Sequence, residues 1–181
     1  PNKIKMKVVA PKKTNEDIEK LDHRNHILKL PETYMGSIEI DNDEKWFFDS
    51  ESKKVVKANK KIIPAQYKIF DEIIVNAFDQ YVRTHFVDSE YKVKTIKINI
   101  NKETGMISVQ NDGEGIKVEM HSKEKIYIPE LIFGHLLTSS NYSNSKIAHV
   151  GGKNGYGAKL ANIFSKEFYI ETIDHFIKKK Y

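Results

Sequence analysis

The sequence predicts an α+β fold: a two-layer sandwich of a mixed, largely antiparallel sheet with helices on one face. Three observations carry that expectation. A long helical pattern occupies residues 62–83, two strands joined by a short turn follow it, and further helical and strand patterns come after them. The resulting order, β, α, β, β, α, α, β, contains hairpin-linked strands rather than regular βαβ units.

The elements follow in order along the chain. Residues 1–15 are basic and lack a usable period, so they read as an arm before a domain of residues 16–181. Thr14 and Asn15 are suitable caps for a helix running to about Leu28, with Glu16 and Asp17 near its positive end. "PETYMGS" (Pro31–Ser37) reads as a turn or loop. Trp46–Phe48 and Val55–Ala58 pair as a hairpin across "DSESKK". In the long helix, Pro64 suits the first turn, and Ile69, Phe70, Ile73, Ile74, Ala77, Phe78 and Tyr81 recur at helical spacing as one stripe. Thr95–Asn101 and Met106–Gln110 form strands across "NKETG". Ile128–Leu137 is a short helix opening at Pro129, residues 138–150 a polar loop, Tyr156–Ser165 a helix, and Lys166–Ile173 a strand.

Composition bounds the function. The chain has 181 residues, 39% of them hydrophobic, enough for one buried domain. Its net charge of +5 permits contact with nucleotide or nucleic acid without demanding it. Much of the basic excess lies near the ends, in Lys3, Lys5, Lys7, Lys12, Lys13 and Lys178–Lys180. The absence of cysteine excludes disulfides, thiolate metal sites and a Cys nucleophile. No apolar run approaches the roughly 18 residues of a membrane span, so no membrane partner is expected. A start at Pro1 and an end within "HFIKKKY" read as a fragment of a larger protein.

Four stretches carry candidate chemistry. On the long helix Glu72, Asn76 and Asp79 stand at i, i+4 and i+7, so their heads share a face. This is either a solvated polar face or a set of oxygen donors for a hard cation and a water. Magnesium takes oxygen ligands and keeps waters beside phosphate oxygens. In that reading Asn76 supplies a carbonyl, and Glu72 orients or deprotonates an attacking water. "NDGEGI" (Asn111–Ile116) is either a turn or a close approach to a flat ring. In the second case Gly113 and Gly115 admit the ring, and Asn111 or Asp112 reads it by hydrogen bonding. "TSSNY" (Thr138–Tyr142) is a soluble loop or a set of ribose and phosphate contacts.

The fourth stretch, "GGKNGYGAKL" (Gly151–Leu160), resembles a phosphate loop but fits neither common formula. From Gly152 the P-loop pattern holds for six positions. Then Ala158 stands where Lys belongs, Lys159 comes one place late, and Leu160 replaces the hydroxyl. The dinucleotide pattern fails too, because Leu160 stands at its third Gly. What remains is a Gly-rich turn entering a helix N-terminus, with main-chain N–H groups and the helix dipole facing an anion. Lys153 and Lys159 add charge.

"DEIIVNAFDQ", "NDGEGI", "LIFGHLLTSSNY" and "GGKNGYGAKLANIFS" together resemble the N-terminal ATPase domain of type IIA DNA topoisomerases of the eukaryotic and large-virus kind. That domain belongs to the gyrase, heat-shock-90, histidine-kinase and mismatch-repair ATPase superfamily, with the Bergerat fold. The likeness runs from about Glu16 to Tyr181, and "HILKLPETYMGSIE" is similar to the family's N-terminal segment. The resemblance implies ATP and Mg2+ as cofactors, double-stranded DNA as a partner of the whole enzyme, and a homodimer. It makes Glu72 the general base and Asn76 the magnesium ligand, with Asp79 and Gln80 in the same nucleotide motif. Asn111 stands where relatives read adenine, with Gly113 and Gly115 beside it. Ser139, Ser140 and Asn141 would contact ribose and phosphate. Gly152, Lys153, Asn154, Gly155, Tyr156, Gly157, Ala158 and Lys159 would wrap the triphosphate as a lid. Tyr34 is similar to the aromatic that reaches the partner protomer's nucleotide.

Some positions depart from the family pattern. Leu30 replaces a basic residue before Pro31, Gln80 a commoner Asn, and Lys153 an Arg, which loses a bidentate fork. Lys68 stands where bacterial relatives place a His one turn before the base. The family's transducer domain, with its γ-phosphate lysine, and its cleavage core are not in this sequence. The 181 residues are therefore expected to bind ATP better than they hydrolyse it. Location would be the nucleus of a cellular eukaryote, or host cytoplasm or nucleus for a virus. Two rivals remain at this point. Another ATPase of the superfamily, of mismatch-repair or chaperone type, would lack "TSSNY" and "GGKNGYGAKL". A basic, non-catalytic nucleic-acid-binding module would bind DNA in a strongly salt-dependent way with no effect of ATP.

Overall fold

A computed structural model describes residues 19–138 and 155–181. The first described helix, α1, spans His23–Lys29. It does not begin at Thr14, which lies outside the described residues. Its cap is Asp22, whose carboxylate accepts from the main-chain N–H of Asn25 at 3.0 Å. An Asp is as good a cap as Thr or Asn. Pro31–Ser37, expected as a turn, contains a one-turn helix, α2 (Glu32–Met35), closed by Gly36 at φ +79°.

β1 (Glu44–Asp49) and β2 (Lys54–Asn59) pair antiparallel, with Trp46 opposite Lys57 and Phe48 opposite Val55. α3 then runs Pro64–Phe86, its proline in the first turn as expected. Main-chain hydrogen bonds fix where it starts: Ala65 N–H donates to the Ser37 carbonyl, and Asp41 and Ile62 exchange a two-way bridge. β3 (Ile96–Asn101) and β4 (Met106–Asn111) form the second hairpin, turning through Gly105 at φ +71°. α4 (Ile128–Gly134) stops earlier than its apolar pattern suggests, and α5 spans Gly157–Phe164.

One expectation needs correction. The segment Lys166–Ile173 is not a strand along its length. Ile173–Asp174 (β5) pairs with Lys179–Lys180 (β6), and Thr172 extends the pairing by exchanging main-chain hydrogen bonds with Tyr181. Alternating apolar residues cannot make a strand without a neighbouring edge to bond to, and residues 166–171 are not in a ladder. The α+β class holds, and among the described residues the strands pair as three two-stranded antiparallel ribbons.

The apolar stripe of α3 is only partly covered. Ile69, Phe70, Ile73 and Ile74 are half-buried, but Phe78 is 54% exposed, stacking its ring on Tyr81 at 5.6 Å. What α3 buries most completely is small or polar: Ala65, Ala77, Asp79 and Thr84. Small side chains let neighbouring backbone approach. Thr84 Oγ1 accepts from Val93 N–H while donating to the Tyr81 carbonyl. The main core lies where α1, α2, the start of α3 and α5 meet: Ile27, Met35, Ala65 and Leu160, flanked by Ile63, Ile69 and Phe164. No described helix is long and apolar enough to cross a membrane.

Two carboxylates close the far side. Asp112 Oδ1 accepts from Lys94 and Thr95 N–H at 2.7 and 2.9 Å. Those main-chain donors hold its carboxyl below the usual aspartate range. Asp174 is buried and accepts from the N–H groups of Val118, Phe176 and Ile177. Burial alone would raise its pKa, but the three donors outweigh burial and keep it below the ordinary value. Replacing Asp174 by Ala leaves those N–H groups without their acceptor and is expected to cost about 1–3 kcal/mol in denaturant unfolding at neutral pH. Because the folded pKa is depressed, this stabilisation is full above the unfolded value near ~3.9 and is lost as pH falls below it. Wild type and Asp174→Ala should therefore converge in stability in acid.

Candidate functional site

The site forms where α3 meets the start of α5. Glu72, in the third turn of α3, directs its carboxylate at Gly157, the first residue of α5. A Cβ at 157 would overlap Glu72 Oε2, so a larger residue there would displace the Glu72 carboxylate from this position. The other oxygen, Oε1, lies 2.5 Å from Lys68 Nζ. That contact raises the pKa of Lys68 above its ordinary value, so the ammonium stays charged across the physiological range.

One turn further along, Asn76 is exposed, and its amide nitrogen donates to the main-chain oxygen of Glu72 at 2.7 Å. The donor end of the amide is thereby occupied, and the oxygen is the end suited to a cation. Among the described residues no three His, Asp or Glu side chains gather as a metal cage. The donor set thus fits a magnesium held mainly by phosphate and water oxygens, with one protein carbonyl. Asp79 shares the helix face of Glu72 but is buried, 5% exposed. Gln80 accepts from Arg83 and reaches Glu114 at 3.5 Å, which ties α3 to the "NDGEGI" segment.

Within that segment the structure separates the two ring-reading candidates. Asp112 is committed to the Lys94 and Thr95 amides. Asn111, half-buried at the end of β4, donates its amide to the Asp112 carbonyl, which leaves its oxygen as an acceptor. The glycines answer to a different constraint from the close approach to a ring expected above. At φ +106°, Gly113 presses on Val93, whose Cγ2 would lie 2.7 Å from an added Cβ. At φ +73°, Gly115 faces the Ile173 carbonyl, with which a Cβ would overlap. Both are required by packing of the segment against neighbouring chain.

The lid stretch divides. Ser139, Ser140, Asn141, Gly152, Lys153 and Asn154 lie outside the described residues. Gly155 turns the chain at φ +68°, and Tyr156 caps α5 without a side-chain hydrogen bond to the first turn. The amides of Gly157, Ala158 and Lys159 thus begin a helix whose positive end is not neutralised by a cap. Ala158, at the P-loop lysine position, is buried. Lys159 is also buried, 5% exposed, and donates to the Thr138 carbonyl at 2.6 Å. Here its side chain holds α5 to the start of the polar loop, rather than extending over the lid as its sequence position suggests. Thr138 in turn donates to the Leu131 and His135 carbonyls at the end of α4.

Tyr34 packs within its own chain. Its hydroxyl lies 2.8 Å from His26 Nδ1, and its ring lies 5.7 Å from that of Tyr156, whose hydroxyl meets His23 Nε2 at 3.2 Å. The structure thus brings Tyr34 beside the start of α5 through two histidines, His23 and His26, that no sequence motif singles out. Their i, i+3 spacing on α1 is the signal that was available.

Burial pushes the Lys159 amine down to about 8. The unfolded chain therefore binds more protons than the folded one between about pH 8 and the ordinary lysine value near ~10.4. Stability should rise with pH across that window, while below about 8 the cost of burying the charge is complete. Lys159→Met has no such dependence. In thermal melts at intervals from pH 7 to about pH 10, wild type should gain on the variant only above about pH 8. Parallel curves would contradict a buried amine.

Comparison with known proteins gives consistent results, although a scan against models of protein families matches none. The chain is 51% identical over 171 residues to DNA topoisomerase 2 of Candida glabrata, covering 94% of this chain and 12% of that protein. The crystal structure of the ATPase region of Saccharomyces cerevisiae topoisomerase II superposes with a TM-score of 0.86 at 48% identity, over 93% of this chain and 43% of that one. The ATPase and transducer domains of DNA topoisomerase II from Balamuthia mandrillaris give 0.82 at 46% identity, over 90% and 40%. The chain thus spans about an eighth of the length of the full-length relative, and less than half of either solved region.

Proposed function

The chain belongs to the DNA topoisomerase 2 family, matching part of its ATPase region, and from that premise we propose that it binds ATP with Mg2+ as the nucleotide gate of a type II DNA topoisomerase. One observation carries the reading: the Glu72 carboxylate meets the uncapped N-terminus of α5. A negative side chain placed at a phosphate-binding helix end would repel the phosphates unless it acts on something between them and itself. A hydrolytic water is that intermediary.

In this proposal the triphosphate lies over the first-turn amides of α5, which supply N–H donors and the positive helix end. The oxygen of Asn76 would hold the magnesium, which screens phosphate charge when bound. Glu72 takes a proton from the attacking water. Asn111 accepts from the exocyclic amine of adenine, while Asp112 holds the Lys94 and Thr95 amides through Oδ1. Tyr34, beside Tyr156, is the contact through which a partner protomer senses the lid. ATP binding closes a homodimeric gate around a double-stranded DNA segment, and hydrolysis reopens it, the conformational step setting turnover. In the whole enzyme this cycle drives supercoil relaxation and decatenation, in the nucleus of a cellular eukaryote. DNA cleavage belongs to other domains.

Calorimetric titration with a non-hydrolysable ATP analogue and magnesium tests the reading. Wild type should bind, and Asn76→Ala should bind at least ~10-fold more weakly, since a lost metal ligand also loses the phosphate contacts it bridges. A wild-type chain that ignores nucleotide but binds DNA with steep salt dependence would instead be a non-catalytic nucleic-acid module. Glu72→Ala should retain analogue affinity while full-enzyme ATP turnover falls by about 10²–10⁴, the usual contribution of a general base. Abolished binding in a folded Glu72→Ala would show that Glu72 is a binding group.

A further inference from the structure

His23 and Ile27 stand one turn apart on α1, so they share a face. Ile27 is fully buried in the core with Met35, Ala65 and Leu160, which fixes the rotation of the helix. His23 is thereby aimed at the start of α5. Its ring meets that of Tyr156 edge-on at 5.3 Å, and the Tyr156 hydroxyl lies 3.2 Å from His23 Nε2. With its proton on Nδ1, the imidazole accepts the phenol hydrogen. Tyr156 itself stands between two glycines. Gly155 turns the chain at φ +68°, and Gly157 is the first residue of α5. Glycine restrains the backbone least of all residues, so this junction needs an anchor from a side chain. The Tyr156 side chain makes no cap bond to α5. It reaches across to α1, and its ring lies 5.7 Å from that of Tyr34.

We propose that His23 is a positioning residue for nucleotide binding, holding Tyr156 so that the amides of Gly157, Ala158 and Lys159 are in place before the phosphates arrive. The inference rests on the reading of the α5 N-terminus as the phosphate site. A helix start that is already braced loses less conformational freedom on binding than one that the ligand must order. The brace belongs to α1, whose own place is set by its Asp22 cap and by Ile27, so it does not depend on the nucleotide. The amides meet the phosphates in the bound and in the reacting state alike. Loss of the brace is therefore expected in affinity and KM, with kcat kept.

The test uses the full-length enzyme, with ATP turnover, affinity for a non-hydrolysable analogue and amide hydrogen exchange measured for His23→Leu, His23→Gln, Tyr156→Phe and the combination of His23→Leu with Tyr156→Phe. His23→Leu should weaken analogue binding and raise KM about 3- to 10-fold, the range one neutral hydrogen bond supplies, and leave kcat within about 2-fold. His23→Gln, which keeps an acceptor, should recover most of that loss. Tyr156→Phe removes a single oxygen and should match His23→Leu, and the combined variant should be no weaker than either alone. Without nucleotide, the amides of residues 157–160 should exchange faster in His23→Leu while that of Leu131 in α4 is unchanged. If His23→Leu does not fold, Tyr156→Phe and its exchange pattern carry the test. Wild-type affinity in both single variants, with the parent enzyme binding the analogue, would overturn the brace and leave the phosphate site standing. A parent enzyme that does not bind the analogue would overturn the phosphate reading and this inference with it. Additive losses, or a fall in kcat at unchanged KM, would show that His23 does not act through Tyr156 on binding.

Discussion

The contact between α3 and α5 at Gly157 is the constraint on which the rest of the structure depends. The Glu72 carboxylate lies where a Cβ at the facing position would stand, so a side chain there would displace it. Gly157 leaves that space open beneath Glu72. Ala158, Leu160 and Ala161 then bury the remaining faces of α5. Leu160 enters the same cluster as Ile27, Met35 and Ala65, so the core that stabilises the helices also fixes the distance between the Glu72 carboxylate and α5. Rigid packing of this kind gives a site its precision, because side chains locked by a core do not wander.

Around that contact, polar side chains are spent on main-chain groups. Asp112 holds residues 94 and 95, Asp174 holds 118, 176 and 177, Thr84 holds Val93, and Lys159 holds Thr138. Short ribbons leave many loop amides outside any ladder, and a buried amide without an acceptor is costly. The fold answers with carboxylates and hydroxyls in place of a wider sheet. Gly113 and Gly115 belong to the same solution, since they let the segment after β4 lie directly on residues 91–93 and 173.

How far sequence patterns reach can be seen element by element. The long helix was readable to within a few residues, because Pro64 and the apolar period are local signals. Both hairpins were readable for the same reason, as Gly105 and the alternating strands act at short range. The helix that ends near Leu28 starts at His23 behind Asp22, because Asp, Thr and Asn are equally eligible caps and local sequence does not rank them. Residues 166–171 carry a strand-like pattern but are not in a ladder. The apolar residues of α3 repeat at helical spacing, yet Phe78 is half in solvent, because a period tells which residues share a face and not what covers it.

For the site, the sequence by itself determined the chemistry on offer. Glu72 and Asn76 share a helix face because 3.6 residues make a turn, and a Gly-rich run before an apolar helix leaves free amides at its start. Where those groups are placed and what they bond was decided only by tertiary structure. Asn111 and Asp112 are equivalent on paper, but only Asp112 has the Lys94 and Thr95 amides within reach. Lys159 reads as a phosphate cation, yet its amine is buried against Thr138. Gly157 reads as one loop glycine among several, yet it is where Glu72 lands. The physical reason is the same in each case. A residue's type and local spacing fix what it can bond, whereas its actual partner is set by chain segments dozens of residues away, brought near by burial of a shared core.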